Sequence, residues 1–307
     1  MALSAPLLTQ LRVLQISTEA TAKGTITTPA TDIWVQDLIA NPVDPFVERQ
    51  GSGSTLGHSV GVLEGTKAGA CSFKTELRTT GASGMNAGLA ILLQSCGIEK
   101  TLEVYTPTSD YATQKTASFA ISTAGVKKIM LGCMGTFTLS PENGRLMFSF
   151  TFSGAWSTVS DVAVPTPEYS TVKPLNWGHA SNVFSLDGES IKMTNWTFDI
   201  GNTLTPRMTN GAITNYMITK RDPTMTMDVE ADLVAGYAFN AKWLAYNEGI
   251  ISLAITDGTD TATLLGNKFQ YREIPEGDRD GIATHDLVGQ FNREADAGDD
   301  EFSLTIT

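Results

Sequence analysis

The sequence has little of what catalysis and metal binding usually require. Of its 307 residues only three are histidine and three cysteine, and charged side chains make up 18%. His58, His179 and His285 lie far apart with no companion spacing for a triad or a zinc site, so they read as turn or surface residues. Cys71, Cys96 and Cys133 are odd in number, lack a C-x-x-C spacing and stand beside apolar or small residues. They read as buried free thiols in a reducing compartment. No run approaches the ~20 consecutive apolar residues of a membrane span. Met1-Ala2-Leu3-Ser4-Ala5-Pro6 lacks the basic and then apolar pattern of a signal peptide, so a soluble, unprocessed protein is expected.

The motifs that come nearest to chemistry fall short of it. Gly51-Ser52-Gly53-Ser54-Thr55-Leu56-Gly57 is glycine-rich but has no Gly-Lys-Ser/Thr ending and no clear helix after it, which leaves a flexible loop. Asp278-Arg279-Asp280-Gly281 and Asp296-Ala297-Gly298-Asp299-Asp300-Glu301 could offer oxygen ligands to calcium, yet neither has EF-hand spacing and both suit tight turns. Asn195-Trp196-Thr197 fits a glycosylation sequon but lies in a predicted strand. The sequence therefore nominates no catalytic, cofactor-binding or metal-binding residue, and no enzyme is expected.

What is abundant is Thr, Ser, Gly and Asn, a composition that suits strands and turns. Phe148, Phe150 and Phe152 alternate with Ser149, Thr151 and Ser153, which puts three rings on one face of a strand and three hydroxyls on the other. Pro141-Glu142-Asn143-Gly144 is the turn before it, with Asn-Gly the hairpin signal. Trp196, Phe198 and Ile200 alternate likewise, as do Phe302, Leu304 and Ile306. Two short helices are predicted, over Met85 to Cys96 with Ser83 as cap, and over Ala241 to Asn247.

The order of these features repeats. Gly132, Phe137, Pro141 and Glu142 have counterparts 134 residues on in Gly266, Tyr271, Pro275 and Glu276. Upstream, a strand ending near Glu (Ser72 to Leu77, and Met225 to Glu230) precedes a short helix closed by Gly-Ile (Gly97-Ile98, Gly249-Ile250), here at an offset of 152 to 154. The first copy should thus carry roughly eighteen extra residues between helix and hairpin, the difference of the two offsets. The expected organisation is an arm and lead-in at 1–58, a first β module at 59–156, a linker at 157–183 and a second β module at 184–307. Within 1–58 only Ile33 to Val35 and Leu7 to Ile16 suggest strands. That segment and the polar loop from Pro107 to Lys115 are expected to be mobile in a free monomer, and removing residues 1–20 to leave a folded monomer that polymerises badly.

Charge is uneven. Residues 1–160 carry 11 basic and 11 acidic side chains, and 161–307 carry 10 and 22, so the whole net charge of −12 lies in the second half. Such a balance argues against tight nucleic-acid binding.

A set of segments resembles the major tail tube protein of long, non-contractile-tailed bacteriophages. They are Gly84 to Gly97, Val104 to Ser109, Leu131 to Phe137, Phe150 to Gly154, Pro165 to Pro167, Leu186-Asp187-Gly188, Asp199 to Asn202, Ile218 to Pro223, Gly277 to Gly281 and Asp299 to Thr305. The match is weakest over 1–58. The resemblance implies an all-β fold with short helices: two tandem β-sandwich modules, each with one flanking α-helix, that build a β-lined ring on assembly. It implies a structural virion protein made in the host cytoplasm, which stacks as rings into the tail tube through which DNA leaves. Its partners would be itself and the tape-measure, tail-terminator and distal tail proteins, with DNA passing unbound and no membrane involved. With two modules per chain, three subunits and pseudo-sixfold symmetry are expected, against an alternative of six with residues after about 180 as external decoration. The second module is expected to contribute more negative charge to the lumen. A two-domain carbohydrate- or receptor-binding module is the rival function, and it would need an exposed aromatic cluster.

Overall fold

The structure is a computed structural model that describes residues 8, 10–19, 23–43, 47–51, 59–63 and 67–307. His58, the run from Ser52 to Gly57 and most residues before Arg12 lie outside the described residues.

The first described strands are β1 (Arg12–Thr18), β2 (Thr31–Ile33) and β3 (Gln36–Val43), followed by a hairpin of β4 (Val47–Gln50) and β5 (Ser59–Leu63) and then β6 (Ala68–Glu76). Helix α1 (Ala87–Gln94) leads to a small hairpin, β7 (Ile98–Thr101) and β8 (Val104–Pro107), then β9 (Ala117–Thr123) and the two longest strands, β10 (Val126–Glu142) and β11 (Arg145–Asp161). The series resumes with β12 (Val183–Leu186), β13 (Glu189–Ser190), β14 (Met193–Asp199), a hairpin of β15 (Thr203–Thr209) and β16 (Ala212–Lys220), and β17 (Thr224–Glu230). Helix α2 (Phe239–Leu244), β18 (Glu248–Thr256), β19 (Thr261–Glu273), β20 (Glu276–Arg279), β21 (Ile282–Phe291) and β22 (Ser303–Ile306) complete it. Among the described residues the fold is all-β with two short helices.

Among the described residues every strand pairing is antiparallel. In the first half the order is β2-β1-β9-β10-β11-β6-β3. In the second it is β13-β12-β18-β19-β21-β17-β14. Register carries the offsets seen in the sequence: Phe119 faces Met130 as Leu253 faces Leu264, each 134 residues on. The two helices begin 152 residues apart, at Ala87 and Phe239. Between α1 and β9 the first half holds the β7–β8 hairpin and the loop to Thr116, where the sequence requires its extra residues.

The halves are joined by a strand pairing. Beyond the stretch of β10 taken by β9, Thr138 and Leu139 pair with Asp199 and Phe198 of β14. One continuous run of eight strands results: β3-β6-β11-β10-β14-β17-β21-β19. A second link runs from β19 through β22 to β8, with Leu304 opposite Tyr105. The core is continuous across the junction, where the Phe198 ring lies 6.1 Å from Phe137 and 4.8 Å from Phe302.

The alternation read from β11 holds. Phe148, Phe150 and Phe152 are fully buried, with successive rings stacked 5.4 and 5.6 Å apart. Asn143 and Gly144 both have positive φ, 52° and 78°, which is the twist a two-residue hairpin needs, while Pro141 and Glu142 belong to the end of β10 rather than to the turn.

Elsewhere the structure departs from expectation. Residues 12–43, placed in an irregular lead-in with strand candidates only at Leu7 to Ile16 and Ile33 to Val35, supply β1, β2 and β3 of the first sheet, and Leu14 and Ile16 are completely buried. β11 runs on to Asp161, past the expected module end at 156. The cap of α1 is Asn86, whose side chain accepts from the Gly88 N–H, not Ser83. Helix α2 spans Phe239–Leu244 and ends at Tyr246 in the left-handed region, φ 54°; Gly249 lies within β18, against the Asp187 carboxylate. Close packing explains another glycine. A Cβ on Gly289 would stand 2.0 Å from the Phe269 ring, so Gly289→Ala should lower stability by about 1–3 kcal/mol in denaturant titration. An unchanged midpoint would contradict the packing described.

Candidate assembly surface

The eight-strand run has an apolar face turned to the core and a polar face turned outward. On β11 the outward residues are Ser149, Thr151 and Ser153, flanked by Thr136 and Thr138 of β10 and Ser72 of β6. Charge on the first half of this face is compensated: Lys74 meets Glu142 at 2.9 Å, and buried Glu76 accepts from both Arg78 and Arg145. The second half presents Asp199, Asp228, Glu230 and Asp286, with Asp228 directly opposite Asp286, and Arg279 bridges Asp228 at 3.1 Å and Glu230 at 2.6 Å. It is the more acidic half of the face, but most carboxylates of 161–307 lie in turns and loops away from it.

Several of the carboxylates off this face are structural. Asp278 accepts from the Gly281 N–H in the β20–β21 turn. Asp299 accepts from the backbone N–H (2.8 Å) and hydroxyl (2.5 Å) of Ser109 and pairs with Arg221, which also meets Glu301; Asp300 accepts from the N–H groups of Glu294 and Ala295. The acidic loop is thus clamped to the 108–116 loop and to the end of β16. That polar loop is itself tied down: Asp110 accepts from the Ala112 N–H, Gln114 is buried and donates to the Thr108 carbonyl, and Lys23 sits 3.3 Å over the Tyr111 ring. Nearby, Glu19 is buried and accepts from the N–H groups of Gly24 and Gly132 and the hydroxyls of Thr116 and Ser118. None of these long-range partners has a local spacing that a sequence could reveal.

The other residues singled out are dispersed. Among the described residues no group of three or more His, Cys, Asp or Glu is placed to hold a metal ion. His179 accepts from the Ser181 N–H at the surface, whereas His285 is buried on β21 beside the Phe239 ring. Trp196 of the sequon is inside the core. All three cysteines are free and buried; burial pushes the Cys71 thiol up to about 12 and those of Cys96 and Cys133 well above their ordinary value. No described helix is long and apolar enough to cross a membrane.

Three features sequence reasoning missed concern edges and exposed apolar area. β3 pairs only with β6, and at Tyr271 and Glu273 β19 pairs only with β21, the Arg272 carbonyl between them accepting from the Trp243 indole N–H at 3.0 Å, so neither end of the eight-strand run has a further strand beside it among the described residues. The third is α2. Helix α1 buries Leu89, Leu92 and Leu93, because Ile33 of β2 packs on Gly88, Ile218 of β16 rests on Gly97, and Asn202 donates to the Cys96 carbonyl at 2.8 Å. Helix α2 has no such cover. Only Phe239 is buried, Asp187 ties the helix down through Lys242 and Tyr237, and Leu244 (68%) and Tyr246 (79%) stand exposed with Trp243 and Ile250, as do Leu233 (79%) and Val234 (80%) in the segment that leads into the helix. An apolar patch of this kind marks a contact surface.

A search of curated proteins found no match. The family model described as phage tail tube protein, however, matches residues 13–306, from β1 to β22. With nearly the whole chain so matched, on an all-β fold whose long sheet ends in two open edges, this protein belongs to the phage tail tube protein family and is a structural component of the phage tail.

Proposed function

We propose that the chain is a duplicated tail-tube module that closes, three copies head to tail, into a ring with pseudo-sixfold symmetry, and that stacked rings form the conduit for DNA ejection. The observation that carries this reading is the eight-strand run, half from each part of the chain, with an open edge at either end. Unpaired edges are a liability that closure removes. Three chains of eight strands at ~4.8 Å spacing give a circumference of about 115 Å and a diameter of about 37 Å before any strand tilt widens it, enough to clear a double helix. Six chains would double that bore if both halves lined it. The arrangement with the second half as decoration is hard to reconcile with β14, which continues the same sheet as β10.

In this reading the hydroxyl-rich face lines the lumen, weakly acidic in the sectors built from the second half. Such a wall lacks the arrays of Lys and Arg that would hold phosphate, so DNA slides rather than binds. The modules run from β1 to β11 and from β12 to β22, and tape-measure, terminator and distal tail proteins meet the ends of the stack. The chain is made in the host cytoplasm, where its buried thiols stay reduced. Trp243 and Tyr246 alone would suit a carbohydrate surface, but the exposed aliphatic side chains of Leu244 on the same helix and of Leu233 and Val234 before it suit a protein contact. Mass per length and averaged cross-sections of assembled tubes test the proposal: three chains per ring are expected, and six would overturn it.

A further inference from the structure

The junction inside the chain has an unused counterpart at each of its ends. Thr138, opposite Ser149 on β11, corresponds to Glu273, opposite Val288 on β21; the next core-facing residues, Leu139 and Ile274, correspond in turn. Asp199, opposite Thr224 on β17, corresponds to Ile39, opposite Ser72 on β6, and buried Phe198 to buried Leu38. Thr138 and Leu139 pair with Asp199 and Phe198 within one chain, while Glu273, Ile274, Ile39 and Leu38 have no strand partner on that side among the described residues. The hairpins follow the same scheme. β15–β16 lies between β14 and β17 in the chain and packs on β10 and the end of α1; β4–β5 holds the same position between β3 and β6.

Resting on the ring reading above, we propose that a second copy of this chain docks by repeating the internal junction. Its β3 adds to the free edge of β19, with Ile39 opposite Glu273 and Leu38 opposite Ile274, and its β4–β5 hairpin covers the apolar face of α2. Continuity with the internal interface fixes the register, and two further observations fit it. The free edge of β3 borders a groove formed with Arg12 and Lys128, and the strand end that would enter it carries Glu273 and Glu276 against the single Arg272, so the net charges are complementary. In the lone chain the Arg12 guanidinium donates to the Leu38 carbonyl, a side chain standing where a neighbouring strand offers an N–H. The contact also explains why α1 is covered and α2 is not: α1 receives its hairpin from its own chain, α2 from the next.

The test is disulfide trapping in assembled tubes. Ile39→Cys combined with Glu273→Cys should, after mild oxidation, convert most of the protein into covalent oligomers that neither single variant gives, since opposite residues of an antiparallel pair bring their Cβ atoms within about 4.5–5.5 Å. The native thiols are buried and should not compete. A second variant guards against failure to assemble: Tyr246→Cys should react with a maleimide in the monomer and be protected at least tenfold in tubes. Wild-type protein that forms no tubes would sink the ring reading itself. Tubes in which residue 246 remains as reactive as in the monomer, or in which 39 and 273 fail to cross-link while Ile39→Cys with Arg272→Cys succeeds, would overturn this docking alone.

Discussion

Removing residues 1–20 is expected to abolish cooperative folding, not to leave a stable monomer with an assembly defect. The deletion takes away β1, which lies between β2 and β9 and contributes Leu14 and Ile16, both completely buried, and Val13, 5% exposed. Emptying the sites of Leu14 and Ile16 alone costs about 2–5 kcal/mol each. A domain has roughly 5–15 kcal/mol in total, so the loss consumes most or all of it. The deletion further strands the edges of β2 and β9 and removes Glu19, leaving the hydroxyls of Thr116 and Ser118 and the Gly132 N–H without their acceptor. Thermal unfolding followed by circular dichroism should show no sigmoidal transition for the truncated protein. A truncated monomer with a sharp transition near that of the full chain would mean that β1 is dispensable and that the lead-in expected from sequence describes the chain better.

That contrast marks where the sequence was readable. Phe148 to Ser153 and Asn143-Gly144 speak for themselves, because a strand buried on one face alternates with period two and a tight hairpin needs two residues of positive φ. The offsets of 134 and 152 are likewise legible, since insertion leaves the spacing on either side intact. The two stretches expected as strands, Leu7 to Ile16 and Ile33 to Val35, overlap β1 and β2, but that residues 12–43 join the first sheet stayed hidden for two reasons. β2 has three residues, too few for a period, and Pro42 within β3 argues against a strand unless that strand is an edge, which β3 is. The end of α2 was misread because glycine is the usual left-handed residue at a helix C-terminus, whereas here Tyr246 takes that conformation and Gly249 serves close packing on Asp187. What matters most for assembly, the open edges and the exposed face of α2, depends on which surfaces a second element covers. No local pattern encodes that.

Arg221→Ala is expected to lower the unfolding free energy by about 3 kcal/mol at neutral pH, with the deficit shrinking in acid. Arg221 is nearly buried, its side chain 9% exposed, and it is held between Asp299 at 2.8 Å and Glu301 at 3.0 Å. Removing it leaves two neighbouring carboxylates, both partly desolvated, without their cation. The consequence extends beyond the pair, because Asp299 also holds the 108–116 loop through Ser109. Burial opposes ionisation of Asp299, but the hydrogen bonds from Ser109 and Arg221 outweigh it and hold its carboxyl below the ordinary 3.8. A carboxyl lowered on folding stabilises the protein above its unfolded value, and that contribution disappears as pH falls through the folded one. The wild type should therefore lose this stabilisation below about pH 3.8, while the variant, which has already lost Arg221, should lose less there. Denaturant titrations at about pH 7 and again below pH 3.8 decide the matter. A deficit under about 1 kcal/mol at neutral pH would place the cluster among ordinary surface ion pairs. A deficit that stays constant into acid would show that Arg221 acts through packing of its stem rather than through its charge.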